Sequence, residues 1–148
     1  MILATHAGYE VDDDPERLDL DVIIGFLLTT YWGKHRSRET FERALRRSVG
    51  VGLYAPGGAQ AGFARVVGDG ATFAWLADVF VLPEHRGKGL ARVLVSAVLE
   101  HPDHAEIERW LLATADAHGV YAPLGFGPIE ALDKFMIRSG PTASSLIR

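Results

Sequence analysis

Apolar residues in the first third of the chain recur at helical spacing. From Asp19 onward, Val22, Ile23, Phe26, Leu27 and Tyr31 share one face, and Gly33 in "YWGKH" ends the run. Ser37 is an N-cap candidate, with Glu39 in the first turn, for a second helix that turns Phe41, Ala44 and Leu45 inward. Its Arg43, Arg46 and Arg47 form a solvated face. Ahead of both helices, "YEV" reads as a short first strand before the acidic "DDDPE". Strand patterning then takes over: "VGVGLYA" meets the turn signal "PGG", "AGFARVVG" meets "GDG", and "ATFAWLADVFVL" is apolar on both faces, as in a central strand. Pro83 stops it.

After two glycines the helical period returns, with Leu90, Val93, Leu94, Ala97 and Val98 on one broad face. "HPDH" closes that helix and "RWLLAT" predicts a further strand. "DAHGVYAP" is a short helix or turn, weakened by Gly119 and Pro123. "LGFG" and "KFMIRS" predict one or two final strands, and residues 139–148 read as a flexible tail. The order β-α-α-β-β-β-α-β-α-β predicts a single α/β domain whose mixed sheet is mostly antiparallel, with one crossover and about four flanking helices.

Composition narrows the class. The chain has 148 residues, 48% hydrophobic and 23% charged, enough for one domain with a real core. A net charge of −4 argues against general nucleic-acid binding, so any basic site is local. With no cysteine, disulfides, thiolate metal sites and acyl-cysteine intermediates are excluded. His101 and His104 lie close in sequence without a third ligand, so no metal site is expected. The first twenty residues lack the pattern of a signal peptide, and no apolar run approaches a membrane span. A cytoplasmic protein without a membrane partner is expected.

The chemistry concentrates in "PEHRGKGLARVL", residues 83–94, where bare backbone and basic side chains precede a helix. A helix N-terminus presents unpaired N–H groups and partial positive charge, which favour an anion. Glycines let main chain approach phosphate closely, and Arg86 and Lys88 add charge. The string is neither of two familiar phosphate motifs. The Lys-Ser/Thr of a P-loop is absent, and Arg92 stands where the dinucleotide fingerprint needs a small third residue. The plainer alternative is a tight turn with solvated basic residues.

Arg86-Gly87-Lys88-Gly89-Leu90-Ala91 does match Arg/Gln-x-x-Gly-x-Gly/Ala and resembles the pyrophosphate loop of the GNAT superfamily, the acetyl-CoA-dependent N-acetyltransferases. "DVFVLPEHRGKGLA" is similar to that family's fourth strand, loop and third helix, and "VYAPLGF" to its late Tyr-x-x-x-Gly-Phe element. Element order agrees over residues 9 to 138. The resemblance implies a sheet splayed between its fourth and fifth strands, with acetyl-CoA as acetyl donor and a primary amine as acceptor. Direct attack in a ternary complex is implied, and a homodimer is the expected assembly. The rival reading is a catalytically silent acyl-CoA-binding module of the same fold.

The same resemblance distributes roles. Val79, Phe80 and Val81 would pair their backbone with the pantetheine arm, one N–H polarising the thioester carbonyl. Arg86, Gly87, Lys88, Gly89, Leu90 and Ala91 would hold the pyrophosphate. Tyr121 would donate a hydrogen bond to the leaving sulfur, or else pack as a core tyrosine under Phe126. Asp78, the single charge in its strand, resembles an aspartate of polyamine acetyltransferases near the substrate amine, which favours a small or polyamine-like acceptor. It would equally serve as a structural partner of backbone or Arg65. Thr114 replaces the family's frequent Asn and is a candidate pantetheine contact. Asp116 reads as a helix N-cap and His118 as a surface or packing residue. Tyr31 and Trp32 either stack on the acceptor or anchor the helix end.

Overall fold

Ala7 and Gly8, at φ 50° and 83°, make a two-residue turn that folds the chain start onto itself. It joins β1 (Ile2–His6) to β2 (Tyr9–Asp12). The computed structural model describes residues 1–144. After β2 come α1 (Leu20–Leu27), α2 (Arg38–Arg46), β3 (Val49–Tyr54), β4 (Gln60–Gly68) and β5 (Phe73–Val81). Then follow α3 (Leu90–Leu99), β6 (Arg109–Leu111) and the single turn α4 (His118–Tyr121). The six strands form one sheet in chain order, antiparallel throughout except for parallel β5–β6, which the α3 crossover requires.

Each face of the sheet is covered. One carries α3 and α4 over a core of Val51, Leu53, Ala64, Leu76, Leu94 and Val98. The other carries α1 and α2 through Ile23, Ile24, Leu27 and Phe41, which pack on Phe63 and Phe80. The mixed α/β layering expected from element order is therefore present. Among the described residues no helix is long and apolar enough to cross a membrane.

Ser37 caps α2 as read, accepting from Thr40 N–H at 3.1 Å. Asp19 caps α1 by accepting from Val22 N–H at 3.2 Å. That helix stops four residues before Tyr31 because Thr29 and Thr30 return their hydroxyls to the carbonyls of Phe26 and Leu27, at 2.6 and 2.7 Å. Gly33 then passes so close that a Cβ there would lie 2.4 Å from Leu27 O. Tyr31 and Trp32 are thereby lifted off the helix into a tight loop.

Three expectations are corrected. Strand β1 was not foreseen, since its half-exposed "ILATH" carries no inward alternation. Among the described residues no strand follows β6. "KFMIRS" lies exposed, with Met136 97% and Ile137 74% accessible, and pairs with neither edge strand of the sheet. Asp116 does not cap α4: Ala117 holds the N-cap position, and Thr114 Oγ1 accepts from Ala117 N–H at 3.0 Å and Asp116 N–H at 3.4 Å. Of the tail, residues 145–148 lie outside the described residues.

Candidate active site

Strand β5 changes phase at Asp78. Ala74 and Leu76 face α3 at even positions, whereas beyond Asp78 the odd-numbered Val79 and Val81 do so and Phe80 turns to α1. The cause is a bulge: Phe63 pairs with Phe80 and Arg65 with Ala77, so Asp78 and Val79 together oppose Ala64. Asp78 takes the left-handed position, φ 53°, which is strained for a residue with a Cβ but better tolerated by Asp than by most.

The same strand pairs with its parallel neighbour only along its first three residues. The β5–β6 ladder runs from Phe73–Arg109 to Trp75–Leu111 and goes no further. Beyond it a cavity of about 310 Å³ lies between Trp75–Val79 on one wall and Leu112–Ala117 on the other. Leu82 N–H donates to Ala61 O at 2.8 Å, so strand alternation turns the main-chain groups of Val79 and Val81 away from β4, toward the β6 side. Thr114 and Tyr121 line this cavity, as do Tyr31 and Trp32 from the loop after α1, and Ser144 from the C-terminal segment.

At the end of β5, Arg86 Nε donates to Val81 O at 2.9 Å, which ties the loop to the strand. Gly87 and Gly89 take φ of 80° and 72°, and a Cβ on either would meet nothing within 4 Å, so the loop's concave side is open. Among the described residues, none of the N–H groups of residues 87–92 donates to a protein acceptor; the first bond of α3 runs from Val93 to Gly89 O. Lys88 is exposed, Leu90 is buried under the helix start and Ala91 is half-buried. His85, just before the loop, is fixed by Tyr9, whose hydroxyl lies 2.8 Å from its Nδ1. These residues fit a pyrophosphate: unpaired amides, an unobstructed approach and local positive charge.

Tyr121 is buried to 9% exposure, and its hydroxyl makes no hydrogen bond among the described residues. Burial first, then the nearby Tyr31 and Asp116, push its pKa up to about 12, so the phenol is neutral and available as a donor. Its ring meets Phe126 edge-on with centroids 5.9 Å apart. The packing on Phe126 thus leaves the hydroxyl without a hydrogen bond among the described residues.

Asp78 is deeply buried and fully partnered. Arg65 Nε donates to Oδ2 at 2.7 Å, Trp32 Nε1 donates to Oδ1 at 3.0 Å, and Arg36 Nη1 stands 3.7 Å from Oδ1. Arg65 in turn donates to Ser48 Oγ at 3.1 Å. Trp32 therefore both lines the cavity and braces Asp78, and Tyr31 is held where its hydroxyl accepts from Ala115 N–H at 3.1 Å. Arg36 was not singled out in the sequence. It falls in an aperiodic loop, where no periodicity or motif marks it. His118 is exposed and does not line the cavity.

The site thus joins a bulged strand, a short parallel ladder at its start and a glycine loop whose amides are unpaired among the described residues. Residues 17–126 match the model of the acetyltransferase (GNAT) family, and the chain belongs to that family. A crystal structure of a GNAT-family protein from Xanthomonas campestris pv. campestris, assigned as an acetyltransferase by inference, is 42% identical. It superposes with a TM-score of 0.86, covering 93% of this chain and 97% of that one. A Deinococcus radiodurans structure with a similar assignment shares the fold at TM-score 0.68 and 24% identity, over 93% of each chain. A Gibberella zeae protein, also assigned as an acetyltransferase by inference, is 30% identical over 132 residues, covering 76% of this chain and 75% of its own.

Proposed function

We propose that this protein transfers an acetyl group from acetyl-CoA to the primary amine of a small acceptor, by direct attack within a ternary complex. One observation carries the reading. The cavity between β5 and β6 brings the outward-turned main chain of Val79 and the unpartnered phenol of Tyr121 together, on the strand that leads straight into the open loop at residues 86–91.

In this reading the amides of residues 87–91, with Lys88 and Arg86, hold the donor's pyrophosphate. Val79 and Val81 pair with the pantetheine arm, and the Val79 N–H aims at the thioester carbonyl, where negative charge gathers during attack. Phe80 supports them from the far face by packing on Phe26, with ring centroids 4.5 Å apart. The thioester supplies an activated acyl carbon and a thiolate leaving group. An alkyl ammonium has a pKa of about 10, so the acceptor must first lose a proton, and the exposed mouth by Asp116 opens that path to solvent. Tyr121, the weaker acid, stabilises the departing sulfur through a hydrogen bond rather than by giving up its proton.

Asp78 is a positioning residue in this scheme. Its oxygens already accept from Arg65 and Trp32, so it holds the bulge and the acceptor loop together instead of meeting an ammonium. The polyamine-like acceptor, which rested on that aspartate, loses its support. Screening amines for CoA release tests the proposal. Release with at least one amine class is expected, whereas thermal stabilisation by acetyl-CoA with no release from any amine would leave a binding module.

A further inference from the structure

The electrostatics of the cavity wall name the acceptor more closely, given the acetyl-transfer reading of the same site. Among the described residues, four side chains of full charge line it: Arg36, Arg65, Asp78 and Asp116. Three of them gather at one end. Asp78, its side chain 2% exposed, is neutralised by Arg65, itself 12% exposed, through the 2.7 Å contact. Arg36 then stands beside an already paired carboxylate as one positive charge in excess. Its guanidinium is 33% exposed, makes no hydrogen bond among the described residues, and is steadied by the Phe41 ring at 5.5 Å from its centroid. A half-buried cation whose planar donors make no hydrogen bond among the described residues, and which faces a cavity, suits an oxyanion, and a carboxylate best of all, because the guanidinium fork matches it.

The other end has the opposite sign. Asp116 is exposed at the mouth, its carboxylate takes no hydrogen bond from the described residues, and it acts through its charge on Tyr121, the proposed donor to the leaving sulfur. An amine approaching the thioester enters at this negative end. The cavity wall therefore carries both signs, with Trp32 bonded to the Arg36–Asp78–Arg65 group and Tyr31 bonded to Ala115 beside Asp116.

We infer that the acceptor is a small zwitterion of the amino-acid class, its amine at the Asp116–Tyr121 end and its carboxylate on Arg36. One excess positive charge balances one carboxylate, whereas a phosphate monoester would need more. A polyamine would place a second ammonium against Arg36 and be repelled.

The test measures kcat/KM for CoA release with the common amino acids, β-alanine and 4-aminobutyrate, each against its decarboxylated amine. Spermidine and phosphoethanolamine are added as controls. At least one carboxylated amine should exceed its decarboxylated counterpart about tenfold or more. Arg36→Gln should raise its KM about tenfold and bring that ratio near one, and Arg36→Lys should restore part of it. Equal use of the decarboxylated amines, best turnover of spermidine or phosphoethanolamine, or an unaltered ratio in Arg36→Gln would overturn the assignment while leaving acetyl transfer standing. Should no amine release CoA, acetyl transfer itself fails. Calorimetric titration of the same amino acids into the CoA-loaded protein then decides the assignment independently: binding lost in Arg36→Gln supports it, and no binding overturns it.

Discussion

Replacing Tyr121 with Phe removes one oxygen and little else. The edge-on contact with Phe126 survives, as does the burial of the ring among Leu76, Leu94 and its other neighbours. The hydroxyl has no hydrogen-bond partner to abandon among the described residues, so folding stability should change by less than about 0.5 kcal/mol. Catalysis should suffer far more. A hydrogen bond to a charged group contributes about 1.5–3 kcal/mol, and each 1.4 kcal/mol is a factor of about ten in rate. If Tyr121 donates to the thiolate only as the C–S bond breaks, kcat should fall about 10- to 150-fold. The apparent affinity for acetyl-CoA should stay within about twofold, since a donor to the developing charge is idle in the ground state.

The pH profile sharpens this expectation. Burial pushes the phenol up to about 12, so it stays protonated as an alkyl amine, with a pKa of about 10, becomes neutral. The rising limb of the rate should therefore follow the acceptor amine, with no fall attributable to Tyr121 below about pH 11. Stopped assays of released thiol, with the best acceptor from the screen, give kcat and KM; thermal melts of the same preparation report stability. An unchanged kcat refutes the role. A loss of kcat matched by a loss in melting temperature would show that the oxygen matters to folding instead.

Other perturbations separate the remaining parts. Acetyl-CoA should raise the melting temperature, and Arg86→Glu should largely abolish that rise, since it both releases the loop from Val81 O and sets a negative charge beside the pyrophosphate. Gly89→Ala should cost roughly 1 kcal/mol of stability because of the φ of 72°, and weaken acetyl-CoA binding measured by calorimetry. Asp78→Asn retains a residue that tolerates left-handed φ but leaves Arg65 charged and poorly compensated, so denaturant unfolding should show a loss of about 3 kcal/mol or more. At Asp12, burial favours the neutral acid, but hydrogen bonds from the terminal amine, Asp14 N–H and Arg17 prevail and hold it at about 2. The stability it confers is present above about pH 4 and is lost as pH falls toward 2; acid titration by circular dichroism should show that step diminished in Asp12→Asn.

The local signals were legible wherever chemistry and backbone demand coincide. Gly87 and Gly89 announce positive φ, Ser37 announces a helix start, and the apolar faces of α1 and α3 follow directly from their periods. What the sequence hid depends on partners far along the chain. "ADVFV" shows an aspartate among apolar neighbours, yet nothing local tells whether its carboxylate points at substrate or at Arg65, because the bulge that turns it appears only when β4 sets the register. "KFMIRS" has strand composition yet pairs with neither edge of the sheet, so pattern alone misplaced it. Arg36 was obscured for a related reason. In the chain it is one basic residue in "GKHR", and its distinction arises only because Arg65 has already satisfied Asp78. The charge that reads as an ammonium anchor in one dimension is cancelled in three, and the arginine beside it is left as the charge in excess on which the proposed carboxylate recognition rests.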